Sequence, residues 1–216
     1  MKRSGFTTPL RRGASFALLP LALIACSHDG HKSDITLPVL SAGAHTIVVD
    51  GDRAAHDGTA FVGGDGAAYI VLGDDSDAAA SVVYRRGGGN ATWQRVPRAD
   101  GDVRITSALD EPQSVAAWAM PATATGYRAR IGERTAAFTL ASDGTLAASG
   151  DGCTLSGTIA AADLGNAARA VLTFSGCDED GDYDGIAYVD PDAPNAAFHI
   201  VVDNGRAIHD FYAYAP

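Results

Sequence analysis

The chain has 216 residues, 46% of them apolar, with 16 basic against 26 acidic side chains and a formal charge of −10. That supplies enough apolar material for a globular core. The acidic excess argues against nucleic acid as a partner, because a polyanion is repelled and no basic stripe with interleaved aromatics occurs.

Lys2, Arg3, Arg11 and Arg12 precede an apolar run from Phe16 to Ala25, interrupted only by Pro20, that meets Cys26. This pattern predicts an export signal over residues 1–26. About ten apolar residues span roughly 15 Å as a helix, half the thickness of a bilayer core, so the run is too short to anchor by crossing. Leu23-Ile24-Ala25-Cys26 resembles the bacterial lipobox. That resemblance implies cleavage before Cys26 and acylation of its thiol, and several acyl chains then anchor at about 0.8 kcal/mol per buried CH₂. The alternative is an ordinary export signal in which Cys26 is incidental. In the lipobox pattern an Asp after the cysteine retains the protein at the inner membrane; Ser27 stands there, which implies an outer-membrane protein, lipid-anchored and facing the periplasm or the cell exterior. Four of the 16 basic residues and none of the 26 acidic ones fall in this segment, leaving 12 basic groups and a formal charge of −14 beyond it. We read that charge as solvation.

Residues 27–43 are mostly small, polar and aperiodic, as a tether between lipid and domain would be. His28 and His31 lie there and could ligate a metal; the other reading is a flexible polar tail without an ordered scaffold. From Ala44 onward, apolar and β-branched runs alternate with Asp-Gly or Asn-Gly, dipeptides that tolerate the positive φ of tight hairpins. Hairpins are predicted at Asp65-Gly66, Asp100-Gly101, Asp143-Gly144 and Asn204-Gly205, and a hairpin loop at Gly87-Gly88-Gly89-Asn90. The expected fold is therefore all-β: an antiparallel meander forming a barrel-like or sandwich-like body. An N-terminal module would occupy 44–109 and a C-terminal module 126–216. Between them, residues 110–125 carry an acidic first turn at Asp110-Glu111, Pro112 and an Ala-rich body ended by Pro121, which predicts a short helical connector. Modules this small are expected to pack on each other as one unit.

Cys153 and Cys177 remain after Cys26, and an exported pair is most simply a disulfide. Asp180, Asp182 and Asp184 with Gly185 read as the first half of a calcium loop, although the twelfth position, where a bidentate Glu belongs, is Pro191. The other reading is a solvated acidic hairpin tip. Neither a nucleophile elbow nor a zinc-binding helix pair occurs; His45, His56, His199 and His209 offer Ser/His/Asp combinations that any chain of this composition would. No cofactor is implied. A type I′ turn at Asn204-Gly205 would set His199 opposite Asp210 and Val201 opposite Ile208, with Phe198, Ile200, Val202, His209 and Phe211 on the other face.

Phe138-Thr139-Leu140 with Asp143-Gly144, Gly152-Cys153-Thr154-Leu155-Ser156-Gly157, Leu172 to Cys177, and Gly185-Ile186-Ala187-Tyr188 together resemble the C-terminal module of a group of uncharacterised proteobacterial β-rich lipoproteins. The Pro-Gln-Ser-Val-Ala-Ala segment resembles that group's connector. About 90 residues match, and residues 44 to 108 share only the hairpin rhythm. The resemblance implies the disulfide, the β architecture and the outer-membrane setting, and it carries no catalytic residue. The expected function is a non-enzymatic envelope lipoprotein with a structural or binding role, its partner an envelope protein or small molecule. The alternative is a periplasmic enzyme or inhibitor with its site on the hairpin loops.

Overall fold

A computed structural model describes residues 35–50, 56–73, 79–89 and 91–216. The export segment with Cys26, and the part of the tether holding His28 and His31, lie outside the described residues. Among the described residues there is no helix. The strands are β1 Ile35–Thr36, β2 Gly43–Asp50, β3 His56–Val62, β4 Ala68–Gly73, β5 Val82–Arg86, β6 Gln94–Val96, β7 Val103–Arg104 and β8 Thr106–Gln113. They continue as β9 Thr125–Ile131, β10 Arg134–Leu140, β11 Thr145–Ala148, β12 Thr154–Ala161, β13 Ala168–Ser175, β14 Gly181–Tyr188, β15 Phe198–Asp203 and β16 Ile208–Tyr214.

The first half is a six-stranded antiparallel sheet in the order β6-β5-β4-β3-β2-β8. Asp65-Gly66 forms the predicted β3–β4 hairpin, with Gly66 at φ 84°. The glycine loop joins β5 to β6, which pair antiparallel. Asp100-Gly101 makes no hairpin, because β7 pairs in parallel with β1 instead of with β6. Burial decides this: beyond Pro97 the chain crosses one face of the sheet, where Val103 and Ile105 join a core of Ile47, Ile70, Leu72 and Tyr84. Ile35, Leu37 and Leu40 pack on the same cluster, so the tether is docked from Ile35 and is not free as far as residue 43.

The second half is a closed eight-stranded barrel, an up-and-down meander from β9 to β16 in which β16 pairs back onto β9. Asp143-Gly144 forms the predicted β10–β11 hairpin. Strict alternation in β13 sends Ala168, Ala170, Leu172 and Phe174 inward and Arg169, Val171 and Thr173 to solvent. The interior is filled: Phe138, Leu140, Leu146, Leu155, Ile159, Phe174, Ile200 and Phe211 are all essentially buried and form one cluster. Eight strands enclose just the width that side chains can fill.

The expected helix over 110–120 does not form. Asp110, Glu111 and Pro112 lie in β8, paired with Ile47, Thr46 and His45 of β2. Pairing with β2 outweighs the local helix signals, and Pro112 is tolerated because β8 is an edge strand, where a missing N–H need not break a ladder. Residues 114–124 then run without regular structure. Asn166, the only non-glycine residue at positive φ among those described (71°), donates its side-chain amide to the Val115 carbonyl (3.0 Å), and its carbonyl accepts from the Trp118 N–H (3.1 Å). Trp118 and Met120 pack on the barrel core, Trp118 edge-on to Phe198. The connector thereby covers the barrel end where β15 begins.

Sheet and barrel share a third core. Phe61, Tyr69, Val71 and Val83 from the sheet meet Ala167, Ile186, Tyr188 and Val201 from the barrel. This explains why β4 and β15 are buried at every position while β13 alternates: β4 and β15 have a core on both faces.

Candidate functional site

Cys153 and Cys177 are joined, with Cα atoms 4.4 Å apart. β12 and β13 pair without a bulge from Thr154↔Ser175 to Ala161↔Ala168, so the disulfide sits just past the strand ends. The turn at Gly176 (φ 67°) brings Cys177 to the side of Cys153, which the register alone would not do.

The calcium expectation fails on geometry. Asp182 and Asp184 lie two residues apart along the extended β14, and each carboxylate is engaged elsewhere. Asp180 accepts from the Cys177 N–H (2.8 Å), Asp182 from the Thr173 hydroxyl (2.7 Å), and Asp184 from Arg85 and from Arg169 (3.0 Å). Among the described residues no three His, Cys, Asp or Glu side chains converge on a metal position. An alternating D-x-D-x-D can belong to a strand as readily as to a loop, and pairing with β13 makes it a strand.

The last hairpin turns one residue later than predicted. Gly205 and Arg206 are its central residues, Gly205 has φ 84°, and the Asn204 N–H donates to the Ala207 carbonyl. Positive φ at the first central residue only is the type II′ arrangement. Asn204 stays outside the centre because its side-chain oxygen accepts from the Arg206 and Ala207 N–H groups (both 2.9 Å). His199 therefore lies opposite Tyr212, and Asp210 opposite Val201. The shift is two residues, so the predicted faces survive.

His199 and Asp210 still meet, on the diagonal. His199 is the middle of a ladder across the barrel's outer face, paired with Tyr188 on one side and Tyr212 on the other. Its Nε2 bonds the Asp210 carboxylate, and its Nδ1 lies 2.7 Å from the Tyr188 hydroxyl and 3.4 Å from Asp190 Oδ2. The Tyr212 ring stacks on the imidazole at 3.9 Å, and its hydroxyl donates to Asp190 (2.9 Å). The His199 side chain is only 7% exposed, Asp210 9% and Asp190 13%. Burial works against a charged imidazole, yet hydrogen bonds to Asp190 and Asp210 outweigh it and raise the His199 pKa. The same contact with His199 holds the Asp190 carboxyl below its ordinary value. Burial and the neighbouring carboxylates push the Tyr188 and Tyr212 hydroxyls up, so both stay protonated.

A Ser/His/Asp alignment also forms in the sheet, where the sequence offered no means of choosing among the possible triples. Asp110 of β8 accepts from Nδ1 of the buried His45 (2.7 Å), and Ser41 Oγ lies 3.5 Å from Nε2. Nε2 is closer to the Ser41 carbonyl (3.0 Å), which can only accept. Nε2 thus approaches the backbone carbonyl more closely than the Ser41 hydroxyl, and on this geometry the set ties β8 and the entry of β2 together and is not arranged to activate a nucleophile. We expect a fluorophosphonate probe to leave Ser41 unlabelled; stoichiometric labelling abolished by Ser41→Ala would overturn this reading.

Among the described residues, a cleft of about 680 Å³ lies between sheet and barrel, lined among others by Asp65, Arg86, Gln94, Asp163, Arg169 and Asp184. At its floor Arg85 bonds Asp184 and reaches the fully buried Asp203 at 3.2 Å, which also accepts from the Tyr69 hydroxyl (3.0 Å). Burial raises the Asp203 pKa, against the Arg85 charge. At the rim Arg86 bonds the Gly66 carbonyl and lies over the Trp93 ring.

Fold and site together define an all-β protein with a filled antiparallel barrel docked on a sheet and a polar cleft between them. Comparison of the chain with family models, curated proteins and solved structures finds no match.

Proposed function

We propose that the protein is a non-enzymatic lipoprotein of the bacterial envelope, held at the outer membrane through Cys26, whose sheet–barrel cleft binds a neutral polar ligand. The anchoring rests on Leu23-Ile24-Ala25-Cys26 and the short apolar run before it. A disulfide suits an oxidising compartment. The likeness of the second half to β-rich lipoproteins points the same way.

The cleft carries the binding reading, because the barrel interior is filled by its own side chains. Its lining sets donors on Arg86, Gln94 and Arg169 beside acceptors on Asp65, Asp163 and Asp184. Balanced donors and acceptors suit a ligand that carries both without net charge, as the hydroxyls of an oligosaccharide do. The Arg169–Asp184 pair is 64% and 39% exposed, and exposed pairs are worth only about 0–1 kcal/mol, so a ligand can replace them at little cost. The alternative, a periplasmic enzyme or inhibitor, has the Ser41–His45–Asp110 alignment in its favour and the orientation of Nε2 against it.

Protein extracted from membranes tests both parts. Its intact mass should begin at an acylated Cys26. Titration with maltohexaose and chitotetraose should shift the amide signals of Arg86, Gln94 and Arg169, with affinity at least tenfold weaker in Arg169→Ala. An unmodified Cys26 refutes the anchoring, and no shift at millimolar sugar refutes the binding.

A further inference from the structure

The His199 ladder is placed where sheet and barrel touch. Asp210 receives Nε2 of His199 through Oδ1, and through Oδ2 it accepts the Ala80 N–H (2.6 Å), which belongs to the connection between β4 and β5 of the sheet. Tyr188, the neighbour of His199 in the ladder, packs against Phe61 of the sheet at 4.6 Å. One carboxylate thus bridges the imidazole on the barrel and a backbone amide on the sheet.

We propose that His199 is the charged pin of a pH-sensitive latch that holds residues 79–81, at the entry to β5, against the barrel through Asp210. In the charged ring both nitrogens donate, Nε2 to Asp210 and Nδ1 towards Asp190 and the Tyr188 oxygen, and one positive charge sits between two carboxylates. In the neutral ring Nε2 still donates to Asp210, but Nδ1 turns acceptor and receives a hydrogen bond from the Tyr188 hydroxyl. Asp190 and Asp210 are then two negative charges in one buried ladder with no cation between them. Among the described residues the titratable groups facing the imidazole are Tyr188 and Asp190 at the end of β14 and Asp210 and Tyr212 on β16, with Asp192 and Tyr214 further out; residues 79–81 of the sheet contribute the Ala80 backbone. No arginine contacts the ladder among those residues, so nothing else there replaces the lost charge.

The sign follows from linkage. A histidine whose folded pKa is raised contributes stability that is complete below its ordinary value of about 6.5 and is lost as pH rises through the folded value. Asp190, held low, adds stability that is complete above its ordinary value and is lost as pH falls from there through its depressed value. The latch is closed between those limits and loosens on the alkaline side.

The experiment is hydrogen exchange of the Ala80 amide in the full-length protein in detergent from pH 5 to 9, corrected for intrinsic exchange, beside an NMR titration of the His199 ring. Protection should fall across the His199 titration by up to tenfold for each unit by which its midpoint exceeds 6.5. His199→Gln should give low protection that does not change with pH. Should that variant not fold, Asp190→Asn serves, and it should move both the ring titration and the loss of Ala80 protection to lower pH together. Constant Ala80 protection up to pH 9, or the same pH dependence in His199→Gln, overturns the latch. Oligosaccharide binding at the cleft is read from other amides, so either proposal can fail alone.

Discussion

Replacing Phe138 by alanine should destabilise the protein by about 3–5 kcal/mol, the usual cost of emptying a buried aromatic site. Phe138 is fully buried and sits in the barrel between the Tyr127 ring at 5.8 Å and the Phe198 ring at 6.4 Å. Its backbone neighbours in the ladder are Tyr127 of β9 and Ala148 of β11. A closed ladder cannot slide inward to fill the void, so most of the cavity should persist and the loss fall towards the upper end of that range. Phe138→Leu, which keeps much of the volume, should cost no more than about 1.5 kcal/mol. Denaturant midpoints at unchanged m-value measure both. A loss below about 1.5 kcal/mol for the alanine variant would mean the interior has slack, and would reopen ligand carriage inside the barrel.

The second large effect belongs to the disulfide. Closing a loop with a sequence separation of 24 removes conformational freedom from the unfolded chain worth about 3.5 kcal/mol in the loop-entropy model. Cys153 is only 3% exposed, so its pairing also seals the end of the barrel where β12 begins. Cys153→Ser with Cys177→Ser should lower stability by about that amount, and a reductant should do the same to the native protein while leaving the double variant unchanged. If reduction shifts the midpoint by less than about 1 kcal/mol, the unfolded chain is already compact across this segment.

Much of the local structure of sheet and barrel is written in the sequence. The hairpins at Asp65-Gly66 and Asp143-Gly144 are local events, fixed by residues that accept positive φ, and they form where the dipeptides predict. The period of two in β13 shows which side chains face inward, because only one of its faces is buried. Cys153 and Cys177 were legible by elimination once Cys26 was assigned to the signal. The faces of the last hairpin were legible too, and its exact turn was not, since the Asn204 side chain decides between two adjacent centres and either choice keeps the same faces.

Long-range competition set the rest. Asp110 to Gln113 carries a helix-start pattern, yet it lies on β8 because β2 offers it a ladder of hydrogen bonds and a short isolated helix offers little in return. Asp180, Asp182 and Asp184 are spaced as calcium ligands and become strand residues once β13 pairs with them. The joining of Ser41 and His45 to Asp110 needs strands distant in the chain brought side by side; His199 and Asp210 share one hairpin, and it is the burial of that pair against Asp190 and the sheet that long-range packing adds. Local signals carry the all-β class, the turns at Asp65-Gly66 and Asp143-Gly144 and the paired cysteines, because those depend on neighbours in the chain. The cleft, the buried imidazole and the filled barrel depend on which faces meet, and only the packed structure sets that.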